Sequence, residues 1–233
     1  MKLARPNVFH PRIVLASCRP VIDGDDGGIV EALRRRGLSA RWMSWDDPQT
    51  EKADLVILAA ASGPADRRKE FLAWTTRVRN LLNPPAALAW NSDRRYLADL
   101  AAAGIPMAPR HAKGPATVLV FLGGEQSHAF SRSTAGLLSP IEPDFEYWDL
   151  GRAALDAACA TVGIPTTDLL YARVDLSDGT DTPSLNALDL IEPELGWRHL
   201  DPETRALQQR RFALAVESAC ERFGLGPLSH RSP

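Results

Sequence analysis

The chain has few cysteines and no long apolar run, and each shortage excludes a class of protein. Its 233 residues include three cysteines, Cys18, Cys159 and Cys220, which lie far apart and form no CxxC pair. An odd, scattered set indicates reduced thiols rather than a disulfide framework. No segment reaches the roughly 20 apolar residues of a membrane span, and residues 1–11 carry no signal-peptide core. We therefore expect a cytoplasmic protein.

A surplus of positive charge is also missing. The 27 basic and 29 acidic residues are intermixed and give a formal net charge of -2. Such a surface has no broad positive field to attract a phosphate backbone, so nucleic acid is not expected as a partner. Hydrophobic residues make up 45% of the chain, which is typical of globular proteins. A compact fold with a substantial core is expected at this length.

The common phosphate-binding motifs are missing as well. Residues 23–28, DGDDGG, contain three glycines after an apolar run but neither GxGxxG nor a GK[ST] ending. Three aspartates would repel a phosphate. We interpret the segment as a solvated turn that caps the next helix, with a nucleotide loop as the alternative.

Short β-branched runs alternate with helical patterns in the first half of the chain. Strands are predicted at 12–17, 40–45, 55–59 and 87–90, and helices at 29–37, 65–82 and 91–103. Such alternation favours a parallel sheet. Residues 107–116 have linker composition, and we place the domain boundary there, which gives domains 1–110 and 111–233.

The second half begins with a predicted hairpin and ends with a long helix. The pattern predicts strands at 117–122, 127–130, 169–176 and 185–191, a polar loop at 131–149, and helices at 152–162 and 202–223. Leu207, Phe212, Leu214 and Val216 in the last helix either cover the sheet or pair with another chain.

Acidic residues lie on the two last predicted strands. Antiparallel pairing can bring Asp175 opposite Asp189 or Glu192, and like charges there are commonly bridged by a divalent cation such as Mg²⁺. The alternative is that these carboxylates face solvent. Ser127 and His128 suggest a nucleophile and a base, but adjacent strand residues point to opposite faces. We therefore interpret His128 as structural.

Nine stretches, collinear along both halves, resemble the ATP-grasp superfamily, in particular its cycloserine-ligase, RimK-type and glutathione synthetase-like branch. They are residues 13–19, 31–37, 45–48, 54–58, 67–74, 82–85, 91–106, 120–129 and 169–193. The resemblance implies an N-terminal Rossmann-like, pre-ATP-grasp-like parallel-sheet domain and a C-terminal α+β remnant of the ATP-grasp domain. The fold class is therefore α/β.

Enzymes of that superfamily activate a carboxylate as an acyl phosphate with ATP and Mg²⁺, and an amine then displaces the phosphate. The resemblance implies a central nucleotide-covering module, but here residues 109–117 take its place. It also implies three acidic metal ligands in the last strand pair, whereas this chain keeps Asp175 and Asp189 and has Ala187 at the third position.

The resemblance also shows losses around substrate and phosphate. Residues 59–64, AAASGP, replace a polar substrate-side segment, and only Arg132 could replace the cations near the transferred phosphate. Losing several of these charged groups removes the main electrostatic contributions to catalysis of phosphoryl transfer. We expect a non-catalytic pseudoenzyme without a cofactor that binds itself, an intact ATP-grasp relative or a small metabolite. The alternative is a carboxylate-amine ligase that uses ATP and Mg²⁺ and is completed by another subunit.

Overall fold

The computed structural model describes residues 9–17, 28–59, 67–109, 115–177, 182–191 and 194–226. The chain divides into two compact units, the first made of residues 1–82 and 209–233 and the second of residues 83–208. None of the helices in the described residues has the length and apolar content needed to cross a membrane.

The strands are β1 (Ile13–Ser17), β2 (Ala40–Ser44), β3 (Leu55–Leu58), β4 (Leu81–Leu82), β5 (Ala116–Leu122), β6 (Glu125–Arg132), β7 (Leu138–Ile141), β8 (Tyr171–Ser177) and β9 (Ser184–Asp189). The helices are α1 (Ile29–Arg35), α2 (Arg68–Thr75), α3 (Pro85–Asn91), α4 (Tyr96–Ala102), α5 (Phe145–Val162) and α6 (Pro202–Arg222).

The first unit contains the predicted parallel sheet. Its strands run in the order β2-β1-β3-β4, and β1 pairs in parallel with both β2 and β3. All residues of β1 and β3 are buried, as expected for strands covered on both faces. Helix α1 is followed by Gly37 at φ 80°, in the left-handed conformation that commonly ends a helix.

Helix α2 is shorter than its amphipathic pattern predicted. It ends at Thr75, and the chain then extends into β4 instead of continuing to residue 82. Val78 and Leu81 do have helical spacing, but both are buried outside the helix, and the Asn80 carbonyl accepts a hydrogen bond from the Val56 amide. Pairing with β3 therefore determines this segment more strongly than its local periodicity does.

The second unit contains an antiparallel sheet with the strand order β7-β6-β5-β8-β9. Its central strand β5 is buried throughout and pairs with β6 and β8. The core contains Leu119 and Phe121 of β5, Val174 of β8 and Leu155 of α5. The predicted polar loop at 131–149 is wrong in three places, because it contains the end of β6, the whole of β7 and the start of α5.

Residues 87–90, predicted as a strand, lie in helix α3. Pro85 occupies the first turn of this helix, where no amide donor is needed and a fixed φ favours the helical conformation. Ala87, Leu88 and Asn91 are buried at helical spacing. Pro84 and Pro85, which follow the end of the helix predicted at 65–82, therefore begin a new helix, and α4 follows it over a shorter range than the predicted 91–103.

The division into units differs from the boundary that the linker composition predicted near residue 110. Leu100 and Ile105 precede that linker, yet they pack in the same core as Leu119 and Val174. Helices α3 and α4 therefore complete the second unit. The physical reason is that both helices bury their apolar faces on the antiparallel sheet, and this burial stabilises the helices and the sheet together.

Candidate functional site

Asp175 and Asp189 lie diagonally on one face of the antiparallel sheet. Asp175 of β8 is opposite Ala187 of β9, and Asp189 is opposite Arg173. Directly opposed residues of neighbouring strands share a face, so the two carboxylates are on the same side but not directly opposed. The register therefore does not place the two predicted metal ligands directly opposite each other.

Two arginines hold the Asp175 carboxylate. Arg132 Nη1 donates to Asp175 Oδ2 at 2.6 Å, and Arg173 Nε donates to Asp175 Oδ1 at 2.7 Å. Asp175 is only 8% exposed, which strengthens charge-assisted hydrogen bonds and makes each partner necessary. Arg132, the predicted phosphate ligand, thus has its guanidinium directed at a carboxylate of its own chain.

The series of opposite charges continues beyond Arg173. Arg173 Nη1 lies 3.9 Å from Glu194 Oε2, and Arg198 Nη2 contacts Glu194 Oε1. We call the resulting alternation, from Arg132 through Asp175, Arg173 and Glu194 to Arg198, the arginine–carboxylate chain. It contains three guanidinium groups and two carboxylates.

The residues around Asp175 do not fit the magnesium site that the resemblance implies. Asp189 Oδ1 accepts a hydrogen bond from the Ile191 amide at 2.9 Å. Within the described ranges, no three His, Cys, Asp or Glu side chains are grouped so that they could hold a metal ion. Glu192 lies outside these ranges. Mg²⁺ requires several oxygen ligands, whereas the neighbours of Asp175 are two cations and Ala187.

Ser127 and His128 do form a hydrogen bond, contrary to the sequence-based expectation. A register shift leaves Ser127 unpaired, because Val120 pairs with His128 and Phe121 pairs with Gln126. Such a bulge interrupts the alternation of faces. Ser127 Oγ lies 2.7 Å from His128 Nδ1 and 2.8 Å from Gln208 Oε1.

The geometry of His128 supports a structural role. Its Nε2 donates to the Leu195 carbonyl at 2.6 Å, which fixes the neutral tautomer with Nδ1 as the acceptor. Burial lowers the pKa of His128 to about 4. A base with so low a pKa takes a serine proton poorly at neutral pH, so the pair lacks the tuning of a catalytic dyad.

Two buried asparagines were missed as site-building residues. Asn83 Nδ2 donates to the carbonyls of Tyr171 and Leu190, and Asn83 Oδ1 accepts from the Leu170 amide. Asn91 likewise bonds the Leu188 carbonyl and the Leu190 amide. Asn83 thus holds the backbone at the start of β8 and the end of β9, and Asn91 holds the end of β9. Both lie in stretches of the resemblance, 82–85 and 91–106, but their spacing did not indicate these contacts.

The structure describes some of the remaining predicted positions and not others. Cys159 and Cys220 are free and buried, and burial raises the pKa of each thiol to about 11. Cys18 lies outside the described residues, as do residues 23–27 of the glycine-bearing segment and residues 60–64 of the substrate-side segment. In α6, Phe212 and Val216 are buried, whereas Leu207 and Leu214 are exposed.

Comparison with known proteins relates the first part of the chain to the cycloserine biosynthesis protein DcsG. Residues 13–83 match the family model of the N-terminal domain of the D-cycloserine synthetase DcsG. The cycloserine biosynthesis protein DcsG of Streptomyces lavendulae is 35% identical over 99 residues, which cover 40% of this chain and 33% of that relative. The chain thus spans about a third of the length of this curated relative in the matched region.

Solved structures extend the similarity over the whole fold. The crystal structure of D-cycloserine synthetase DcsG superposes with a TM-score of 0.74 at 23% identity, covering 91% of this chain and 99% of that one. A D-alanine–D-alanine ligase from Bacillus anthracis, complexed with ATP, has a TM-score of 0.64 at 10% identity and covers 91% and 98%. The match to DcsG confirms the predicted relation to the cycloserine-ligase branch. The solved structures confirm the α/β fold with a parallel and an antiparallel sheet.

Proposed function

We propose that this chain is a non-catalytic relative of the ATP-grasp ligases that acts by binding. The observation that supports this most is the pairing of Asp175 with Arg132 and Arg173 at 2.6 and 2.7 Å. A carboxylate that would hold a metal ion is already neutralised by two guanidinium groups. Ala187 stands directly opposite it, where a second metal-binding acid would be needed.

Guanidinium groups cannot replace Mg²⁺ in phosphoryl transfer. A metal ion bridges the phosphate oxygens and neutralises the charge that develops in the transition state. An arginine that is bound to an internal carboxylate has part of its charge cancelled and some of its donors occupied. Removing one such electrostatic contact costs about 3 kcal/mol of barrier, or roughly a hundredfold in rate, and several losses together leave little activity.

The length of the connection between α4 and β5 supports the same proposal. Helix α4 ends at Ala102 and β5 begins at Ala116. The resemblance implies that this interval should contain a module of strands and helices that covers the nucleotide, and the interval is too short for one. Two features therefore support the proposal: the carboxylate at the metal-binding position is neutralised, and the interval between α4 and β5 is too short to hold a module that covers ATP.

The proposed binding partner is a second copy of this chain or an intact ATP-grasp ligase, with a small metabolite as a further ligand. Loss of catalysis with retention of the fold keeps the surfaces through which a subunit associates. Size-exclusion chromatography with light scattering on the isolated chain, and on a mixture with an intact ligase from the same source, tests both protein partners. A monomer that ignores the ligase would contradict this part of the proposal.

Calorimetry with Mg²⁺·ATP tests the loss of nucleotide binding. We expect no heat of binding and no ADP release when an amino acid mixture is supplied, with an active D-alanine–D-alanine ligase as the positive control. Micromolar binding by the isolated chain would refute the proposal. ADP release only after an intact subunit is added would instead favour the ligase alternative, in which another chain supplies the missing module.

A further inference from the structure

The two edges of the antiparallel sheet are treated differently by the chain. Along β9, the Leu185 amide donates to the Pro106 carbonyl at 2.7 Å, and the Ala108 amide donates to the Leu185 carbonyl at 2.8 Å. Residues 106–108 therefore cover that edge. Strand β7 forms the other edge, and among the described strands it pairs with β6 alone. One side of its backbone is thus left for a strand from elsewhere.

Strand β7 also lacks the protection that edge strands usually have. In the parallel sheet, edge strand β4 has only two residues, and edge strand β2 carries the exposed Arg41. Residues 133–141, which contain β7, include no charged residue. Leu137 just before β7 is 70% exposed, and Phe145 just after it is 73% exposed. Pro140 alone blunts the strand, because it has no amide to donate.

The distribution of charge around β7 favours a second copy of the chain, paired in the antiparallel sense. Residues 142–149, directly after β7, contain four acids and no base. Parallel pairing would place the acidic segments of both copies side by side, whereas antiparallel pairing separates them to opposite ends. The uncharged residues 133–141 of two copies then meet without like charges in opposition. A twofold pair of this kind is closed and ends at two chains.

We propose that β7 pairs with β7 of a second copy about a twofold axis at Ser139, which joins the two antiparallel sheets. In this register Leu137 of each copy is opposite Ile141 of the other, on one face of the joined sheet. The exposed Leu137 exchanges contact with water for an apolar neighbour. This inference rests on the proposed function, because it names the surface through which the chain binds its own copy.

Charge reversal at Ser139 tests both the surface and the register. Ser139 is exposed, and it faces itself across the proposed axis. Ser139→Lys places two cations in opposition and Ser139→Asp two anions, so each variant should raise the dimer dissociation constant by about fivefold. An equal mixture of the two variants should restore association at least to the parent level, because a cation then meets an anion. Sedimentation velocity over a concentration series measures all three.

The matched controls are Leu207→Lys and Leu207→Asp, which place the same charges at a residue of α6 that is 51% exposed. Both should dimerise like the parent, and circular dichroism verifies that every variant is folded.

A parent chain that stays monomeric at submillimolar concentration would overturn the proposal, while the proposed function would keep an intact ligase as its partner. A dimer that both Ser139 variants leave intact, or that only the Leu207 variants weaken, would also overturn it. Failure of the mixture to restore association would exclude the twofold register. ADP release by the parent chain would refute the proposed function and leave the comparison of the Ser139 variants unaffected.

Discussion

Arg132 reaches across strand β5 to bind Asp175. The two residues are on β6 and β8, opposite Ala116 and Val118 of the strand between them, and Nη1 lies 2.6 Å from Oδ2. Such a cross-strand pair joins three strands of the sheet through one carboxylate. Because Asp175 also accepts from Arg173, its removal deprives Arg132 of its counterion and leaves Arg173 with only the more distant carboxylate of Glu194.

Asp175→Ala is therefore expected to lower the free energy of unfolding by about 3 kcal/mol, the usual cost of breaking a buried ion pair from one side. Urea denaturation at pH 7 measures the change. Glu31→Ala is the matched control, because Glu31 also pairs with two arginines, Arg34 and Arg35, but on the exposed surface of α1. Its effect should be within the error of the measurement.

His128 is expected to make the chain less stable in acid. Its folded pKa of about 4 is below the unfolded value of 6.5, because burial disfavours the charged imidazolium. The stability from neutral His128 is fully present above pH 6.5 and is lost as the pH falls toward 4, by about 3 kcal/mol in all.

Urea denaturation of the parent and of His128→Gln at pH 7 and pH 4.5 isolates this contribution. The parent should lose more stability than the variant over this interval. Parallel losses in the two proteins would show that His128 protonates as easily in the folded chain as in the unfolded one.

Asn83→Ala is expected to destabilise the second unit strongly. It removes three buried hydrogen bonds of 2.7 to 2.8 Å, to the Tyr171 and Leu190 carbonyls and from the Leu170 amide. At about 1 kcal/mol for each lost bond, the total loss is about 3 kcal/mol. Asn80→Ala, which removes a single part-buried bond to the Asp54 carbonyl, should cost about a third as much.

Gly196→Ala tests whether the segment 194–196 is fixed against Phe130. The added Cβ would be 2.6 Å from the ring, in a backbone conformation with φ 67°. Gly136→Ala is the control, since φ is 82° there but no atom lies within 4 Å of the added Cβ. The thermal midpoint should fall several degrees further in Gly196→Ala, by the equivalent of about 2 kcal/mol. Equal losses in the two variants would mean that the segment 194–196 shifts to accommodate the added methyl group.

Several elements could be predicted because their signals are local. β-branched runs predicted β1, β3 and β5 near their observed bounds, and the ends of α1 and α5 fall just before Gly37 and Gly163, both at positive φ. The errors arose where a tertiary contact outweighed the local pattern. Residues 87–90 resemble a strand by composition, but the helix that starts at Pro85 buries them on the antiparallel sheet.

The candidate site was predictable in its residue types but not in its connections. Arg132, Asp175 and Asp189 were identified from the resemblance, and the structure places them on one sheet. That Arg132 binds Asp175 depends on the register of β6, β5 and β8, which strand composition does not encode. The contact between Ser127 and His128 likewise depends on a bulge that periodicity alone does not reveal.

The sequence by itself determined the class of fold and its relation to the ATP-grasp ligases, because both are written in residue identity and order. Only the tertiary structure decided which charges meet. Ion pairs act over a few ångströms, so Arg132, Arg173 and Arg198 neutralise Asp175 and Glu194 only after the strands and the segment 194–196 bring them together.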